Sequence, residues 1–72
     1  MTSEHFIEIF YTVMMSTHST KRDLRNYLNL TKTTLNKYLR YGVPDSKKFL
    51  VMDKLEVYLF ENLGGKREVK QA

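Results

Sequence analysis

The chain has 72 residues, contains no cysteine and carries a formal net charge of +4. A chain of this length forms a single domain, and without cysteine it has neither a disulfide nor a thiolate metal site to stabilise it. It also lacks room for an enclosed pocket of roughly several hundred Å³, so we expect no enzymatic activity.

Neither a membrane-spanning segment nor a catalytic set of residues is apparent. The apolar clusters of the first segment are far shorter than the ~20 residues that span a bilayer. Glu4 and Glu8 occupy the region where a signal peptide would carry basic residues. His5 and His18 are too isolated to bind a metal or to act as a general base. We therefore expect a cytoplasmic protein that has no cofactor, no bound metal and no membrane partner.

The positive charge is concentrated in the middle of the chain. Residues 20–48 contain eight basic and two acidic residues, whereas residues 1–19 and 49–63 each have a net charge of −2. A clustered basic face is the electrostatic footprint of a nucleic-acid binder. By charge alone, an ordinary solvated basic surface is an equally good interpretation.

The first helix is predicted over residues 3–16. Phe6, Phe10 and Val13 recur at helical spacing and form one apolar stripe, which Met14 extends. Ser3 is the expected N-cap, because serine side chains accept hydrogen bonds from the free N–H groups of the first turn.

The second helix is predicted over residues 21–28 and begins with a capping box. Thr20 and Asp23 have the T-x-x-D spacing in which each residue satisfies a backbone N–H of the other. Leu24 and, four residues later, Leu28 face the core. Asn29 then occupies a turn that requires positive φ, for which asparagine is the best substitute for glycine.

A third helix is predicted over residues 32–41, with Thr31 as its N-cap. Leu35 and either Tyr38 or Leu39 form its inner face. Gly42 suits the position after a helix end, and Pro44 prevents the helix from continuing.

A fourth helix is predicted over residues 46–62, capped by Asp45 or Ser46. Its apolar face is expected to comprise Phe49, Met52, Leu55, Leu59 and Leu63. The fold class is therefore all-α, a compact four-helix bundle that contains a helix-turn-helix. The domain is expected over residues 1–63, and residues 64–72 are interpreted as a flexible basic tail.

The segment TKRDLRNYLNLTKTTLNKYLRYGVPDSKKFLVMDKL resembles the phage-repressor (Cro-like, lambda-repressor-like) helix-turn-helix family. The similarity covers roughly residues 6–60 in architecture, and its specific part is residues 20–42. Leu24 and Leu28 match the core leucines in the first helix of the family's helix-turn-helix motif, and Leu30 matches the apolar residue after the turn. The resemblance implies a small phage- or mobile-element-type repressor that binds double-stranded DNA sequence-specifically and regulates transcription.

Two residues depart from the family pattern. Arg25 stands where the family usually has a small alanine packed against the recognition helix, and Asn29 replaces the usual turn glycine. The aliphatic stem of Arg25 can lie along the helix contact while its guanidinium reaches solvent. An ion pair of Arg25 with Asp23 or Glu56 is as well supported as a contact with DNA.

If the third helix lies in the major groove, the polar residues on and around it are expected to contact either bases or phosphates. The expected base contacts are Lys32, Thr33, Asn36 and Lys37. The expected phosphate contacts, made through cationic groups, hydroxyls or helix N-terminal N–H groups, are Thr20, Lys21, Arg22, Thr31, Arg40, Lys47 and Lys48.

Helices 1 and 4 together carry more apolar side chains than a domain of this size should bury. We therefore expect a homodimer, in which the excess apolar side chains pack against a second copy of the chain. Two paired recognition helices would also reinforce weak binding at a single site. The expected dimer contacts are Val57, Tyr58, Phe60 and Leu63.

Two alternative functions remain open from the sequence. The first is an excisionase-like recombination accessory or DNA-architectural factor, in which residues 43–51 form a wing instead of the start of helix 4. The second is a protein-interaction adaptor that reuses the helix-turn-helix fold to bind a protein partner.

Overall fold

The computed structural model describes residues 1–63, which form four α-helices and, within that range, no strand. The helices are α1 (Ser3–Thr17), α2 (Lys21–Tyr27), α3 (Lys32–Tyr41) and α4 (Asp45–Asn62). The predicted all-α class is confirmed, and each predicted helix boundary agrees to within one residue. The predicted basic tail, 64–72, lies outside the described residues.

The core is built around α1, which packs against both α3 and α4. Phe6 and Phe10 are completely buried, and their ring centroids lie 5.4 Å apart. The Phe6 ring also meets the edge of the Tyr38 ring, with centroids 5.9 Å apart, which joins α1 to α3. The buried apolar residues are Phe6, Phe10, Val13, Leu24, Leu28, Leu35, Tyr38, Val43, Val51 and Leu55.

Two of the predicted N-caps are wrong. The N-cap of α1 is Thr2 and not Ser3, because Thr2 Oγ1 accepts the hydrogen bond from the backbone N–H of His5 at 3.1 Å. The N-cap of α4 is Pro44, which makes no side-chain capping bond. Asp45 is instead the first residue of α4, where its carboxylate lies in the first turn at the positive end of the helix.

A polar chain of side chains fixes the connection from α1 to α2 against α4. The buried Thr17 Oγ1 donates to the Val13 carbonyl oxygen at 2.7 Å and lies 2.8 Å from Ser19 Oγ. Ser19 Oγ in turn lies 2.6 Å from the Tyr58 hydroxyl. The Tyr58 ring packs against the Tyr27 ring at a centroid distance of 4.8 Å. Tyr58 is therefore engaged in packing within the chain while staying partly buried, and its assignment as a dimer contact stays a prediction.

The connection from α3 to α4 is tied to the first residue of the chain. The backbone of Val43 exchanges two hydrogen bonds with Met1, of 3.0 and 3.1 Å. Gly42 adopts φ +98°, and a Cβ atom there would collide with the Met1 carbonyl oxygen. A glycine is therefore required at this position both for its backbone conformation and for the close approach of the two segments.

The inner face of α4 differs from the predicted one. Val51 and Leu55 are buried, and Met52, Tyr58 and Leu59 are partly buried. Phe49 and Leu63, predicted to share one apolar face with Met52, Leu55 and Leu59, are 77% and 61% exposed. The prediction failed because α4 is apolar around most of its circumference, so periodicity alone does not select the stripe that α1 covers.

Candidate nucleic-acid interface

The capping box at the start of α2 is present as predicted. Thr20 Oγ1 accepts a hydrogen bond from the Asp23 backbone N–H at 3.1 Å, and Asp23 Oδ2 accepts one from the Thr20 backbone N–H at 3.0 Å. This reciprocal pair satisfies two backbone donors and fixes where the seven-residue α2 begins.

The turn between α2 and α3 is closed by backbone and side chain together. Asn29 adopts φ +60°, which confirms the predicted left-handed turn residue. The Leu30 backbone N–H donates to the Arg25 carbonyl oxygen at 3.1 Å, and Arg25 Nη1 donates to the Leu30 carbonyl oxygen at 3.3 Å. Arg25 therefore holds both sides of the turn, a role different from the ion pair and the DNA contact expected from the sequence.

The inner face and N-terminus of α3 orient the helix. Thr31 caps it as predicted, since its Oγ1 accepts a hydrogen bond from the Thr34 backbone N–H at 3.1 Å. Leu35 and Tyr38 are buried in the core, while Leu39 packs against its margin. Because these residues anchor one side of α3, the opposite side is presented to solvent in a fixed orientation.

The outer face of α3 carries two parallel rows of exposed side chains at i, i+4, i+8 spacing. The first row is Lys32, Asn36 and Arg40. The second row is Thr33, Lys37 and Tyr41. These six residues are referred to below as the α3 outer face. All four predicted base contacts lie on it, together with Arg40, which was predicted to contact phosphate.

Tyr41 is the residue of this face that sequence reasoning missed. Tyr41 is 74% exposed, and the Arg40 guanidinium carbon lies 6.0 Å from the centroid of its ring. Tyr41 follows Lys37 by four residues, and this spacing indicates that the two side chains lie on the same exposed side of the helix. A tyrosine near a helix end is nevertheless easily taken for a core residue. The phenol adds a hydroxyl donor and a flat apolar surface at one end of the outer face.

A basic groove of about 480 Å³ lies between α2 and α3. Its lining residues are Lys21, Arg22, Arg25, Lys32, Leu35 and Asn36. No acidic side chain of the described chain is among them, so the groove is strongly cationic. A groove of this kind, next to the α3 outer face, has the chemistry to accept the phosphates of a polynucleotide backbone.

The remaining predicted phosphate contacts differ in whether their side chains are free to reach a phosphate. The Thr31 hydroxyl donates to Thr34 Oγ1 at 3.0 Å, so its hydrogen is committed within the cap. Lys47 is exposed in the first turn of α4. Lys48 Nζ instead lies over the Phe49 ring, 5.3 Å from its centroid. Lys48 is therefore directed towards the aromatic surface of α4, whereas Lys21 and Arg22 line the basic groove.

The described residues hold neither a cluster of metal ligands nor a helix that could span a membrane. Across residues 1–63, no group of three or more histidine, cysteine or acidic side chains is arranged to hold a metal ion. None of the four helices is both long enough and apolar enough to cross a membrane. The α3 outer face and the adjoining basic groove are the candidate nucleic-acid interface.

Comparisons with known proteins assign no family to this site. No protein-family model matches the chain, and neither a curated protein nor a solved structure matches it. The similarity of residues 20–42 to the phage-repressor helix-turn-helix family thus rests on the residues that carry it, and it stays a prediction.

Proposed function

We propose that the chain is a sequence-specific, double-stranded DNA-binding transcriptional regulator of the small phage or mobile-element repressor type. In this proposal α3 lies in the major groove and the chain acts in the cytoplasm without a catalytic activity. The observation that carries the proposal is the α3 outer face, an exposed polar and basic surface on a helix anchored by Leu35 and Tyr38 and preceded by a tight turn.

The residue types of the α3 outer face suit direct readout of bases. The amide of Asn36 can accept a hydrogen bond from adenine N6 through its oxygen and donate one to adenine N7 through its NH₂ group. Lys32 and Lys37 donate to guanine O6 and N7, and the methyl group of Thr33 suits contact with a thymine methyl. All four side chains are exposed, so none must leave a packed position to reach a base.

The basic groove supports the second half of the proposal, the binding of the phosphate backbone. Lys21 and Arg22 stand at the start of α2, beside Lys32 at the start of α3. Phosphate contacts from this side set the depth and register of α3 in the groove. Arg25 contributes indirectly in this scheme, because it stabilises the turn that fixes the angle between the two helices.

A homodimer is part of the proposal and is supported by exposed apolar side chains on the outer surface of α4. Val57, Phe60 and Leu63 are 44%, 71% and 61% exposed, respectively. Solvent-exposed apolar clusters of this kind are typical of association surfaces. Pairing through them would present two copies of α3 to one duplex.

No observation favours the excisionase-like alternative over this proposal. That alternative expects a wing over residues 43–51, but the chain is helical from Asp45 to Asn62. An extended hairpin in this region is therefore absent.

The proposal is tested by selecting bound duplexes from a random DNA library with the full chain at near-physiological salt. The expected result is enrichment of one short sequence arranged as a palindrome, since a twofold dimer binds two inverted half-sites. An enriched direct repeat would contradict the twofold dimer. Absence of any enriched sequence, with binding that depends on salt alone, would contradict sequence-specific recognition.

A further inference from the structure

A second groove lies between α1 and α4 and is apolar. Its volume is about 480 Å³, and it is lined by Ile9 and Val13 of α1 and by Phe49, Met52, Leu55 and Leu59 of α4. It is referred to below as the α1–α4 groove. None of its lining residues belongs to the α3 outer face or to the basic groove.

The described chain leaves this groove open. Ile9, Met52 and Leu59 are only partly buried, and Phe49 exposes 77% of its surface. Clustered apolar side chains with this exposure are characteristic of surfaces that a partner covers. A channel between two helices has the form that accepts a third helix.

The charge of the α1–α4 groove restricts what can cover it. Two exposed carboxylates, Asp53 and Glu56, line the same groove as the apolar side chains. DNA and anionic lipid surfaces are repelled by them. A twofold contact between two copies of the groove is also disfavoured, because it would place the carboxylates of one copy against those of the other.

We propose that the α1–α4 groove binds a cationic amphipathic helix of a protein partner. From Phe49 to Leu59 the groove side of α4 is about 15 Å long, enough for roughly three turns of a bound helix. Apolar residues of the partner at i, i+3, i+4 and i+7 fill the groove, and lysine or arginine residues beside them pair with Asp53 and Glu56. Lys48 lies beside Phe49 and repels cations at that end of the groove. The cations of the partner are therefore expected nearer to Glu56.

This proposal is independent of DNA binding, because the α1–α4 groove and the α3 outer face share no residue. Both surfaces are therefore free to be occupied at once. In combination with the proposed function, the chain would bring a basic partner protein to a DNA site.

The test uses the full chain and two synthetic helical peptides of about 18 residues, which is five turns. Both peptides carry the same leucine stripe, flanked by lysine in one and by glutamate in the other. Binding is followed by backbone amide chemical shifts of the ¹⁵N-labelled chain. We expect the lysine peptide alone to bind, with shifts concentrated at Ile9, Met52, Leu55 and Leu59.

Two matched variants test the contribution of charge. Glu56→Lys places a cation in the groove, whereas Glu8→Lys makes the same change on the exposed face of α1, outside the groove. We expect Glu56→Lys to weaken the lysine peptide roughly three- to tenfold and Glu8→Lys to leave its affinity unchanged. Both variants should retain the wild-type amide spectrum away from the substitution.

Several outcomes would overturn the proposal. One is no binding of the lysine peptide up to about 1 mM, the limit of weak specific association. Others are equal binding of the two peptides, equal effects of the two variants, or shifts that map to α2 and α3. Shifts at Ile9 and Met52 that depend on the concentration of the chain alone would identify a second copy as the occupant instead.

Discussion

Single residues in this protein determine how neighbouring helices are joined. Gly42 allows the α3–α4 connection to approach the first residue of the chain, and Asn29 allows the chain to reverse between α2 and α3. The two positions share positive φ but differ in their surroundings. Only at Gly42 does the backbone of another segment occupy the space of a side chain.

This difference predicts unequal effects of alanine at the two turns. Gly42→Ala should lower the free energy of unfolding by about 2–3 kcal/mol. Alanine disfavours the positive φ of this position, and its Cβ atom would collide with the Met1 carbonyl oxygen. Asn29→Ala should cost only about 1 kcal/mol, the left-handed backbone penalty. Urea unfolding measures both values. Equal losses would show that the close approach at Gly42 is unimportant.

Tyr58 is a second residue whose role follows from its neighbours. Tyr58→Phe removes the hydroxyl that lies 2.6 Å from Ser19 Oγ but keeps the ring contact with Tyr27. We expect a loss of about 1 kcal/mol in unfolding free energy, the usual net contribution of one hydrogen bond. The oligomeric state measured by sedimentation should not change. A shift towards monomer would show that the Tyr58 hydroxyl contributes to the dimer contact.

At the scale of the element, α3 combines an anchored inner face with a chemically varied outer face. Leu35 and Tyr38 fix the helix in the core, so a substitution on the outer face is expected to leave the position of the helix unchanged. Asn36 and Arg40 are neighbours in one row of that face, but the proposal gives them different roles. Their variants therefore separate base readout from phosphate binding.

Asn36→Ala should weaken binding to the selected site by about 1–3 kcal/mol and relax the preference at one base pair. Arg40→Ala should weaken selected and random DNA alike and reduce the salt dependence of binding. Fluorescence anisotropy titrations at several salt concentrations measure these effects. Lys54→Ala on α4, which also removes one positive charge, is the control for Arg40→Ala. If the Asn36 and Arg40 variants behaved identically on both DNAs, the assigned roles would be wrong.

The whole molecule has two chemically opposite sides. The α2–α3 side carries the basic groove, whereas the α1–α4 side carries exposed apolar residues together with Glu8, Asp53 and Glu56. Such a division suits a protein that contacts a polyanion with one side and proteins with the other. Since the chain is small, association through the second side would also add to its marginal stability.

The dimer proposal is tested by placing one charge at each end of α4. Phe60→Glu should convert the dimer to monomer and weaken binding to a palindromic site, while binding to a single half-site stays unchanged. Phe49→Glu introduces the same charge at another exposed phenylalanine, in the α1–α4 groove, and should leave the dimer intact. Analytical ultracentrifugation measures the oligomeric state. A wild-type chain that remains monomeric with and without DNA would contradict the proposal.

Local features of this protein were predictable from the sequence because their causes lie within a few residues of one another. The capping box joins Thr20 to Asp23, Thr31 caps the next helix, and Asn29 supplies the positive φ between them. Apolar spacing likewise predicted four helices and the buried stripe of α1. The polar outer face of α3 follows from the same periodicity, except for Tyr41.

Only the tertiary structure decided which surfaces are covered. The sequence of α4 is apolar on nearly every side, and its packing against α1 selects Val51 and Leu55 for the core and leaves Phe49 exposed. The inward position of Tyr58 depends on Ser19, which is 39 residues away in the chain. Local hydrogen bonds and helix periodicity are encoded within one or two turns, but burial depends on contacts between segments far apart in sequence.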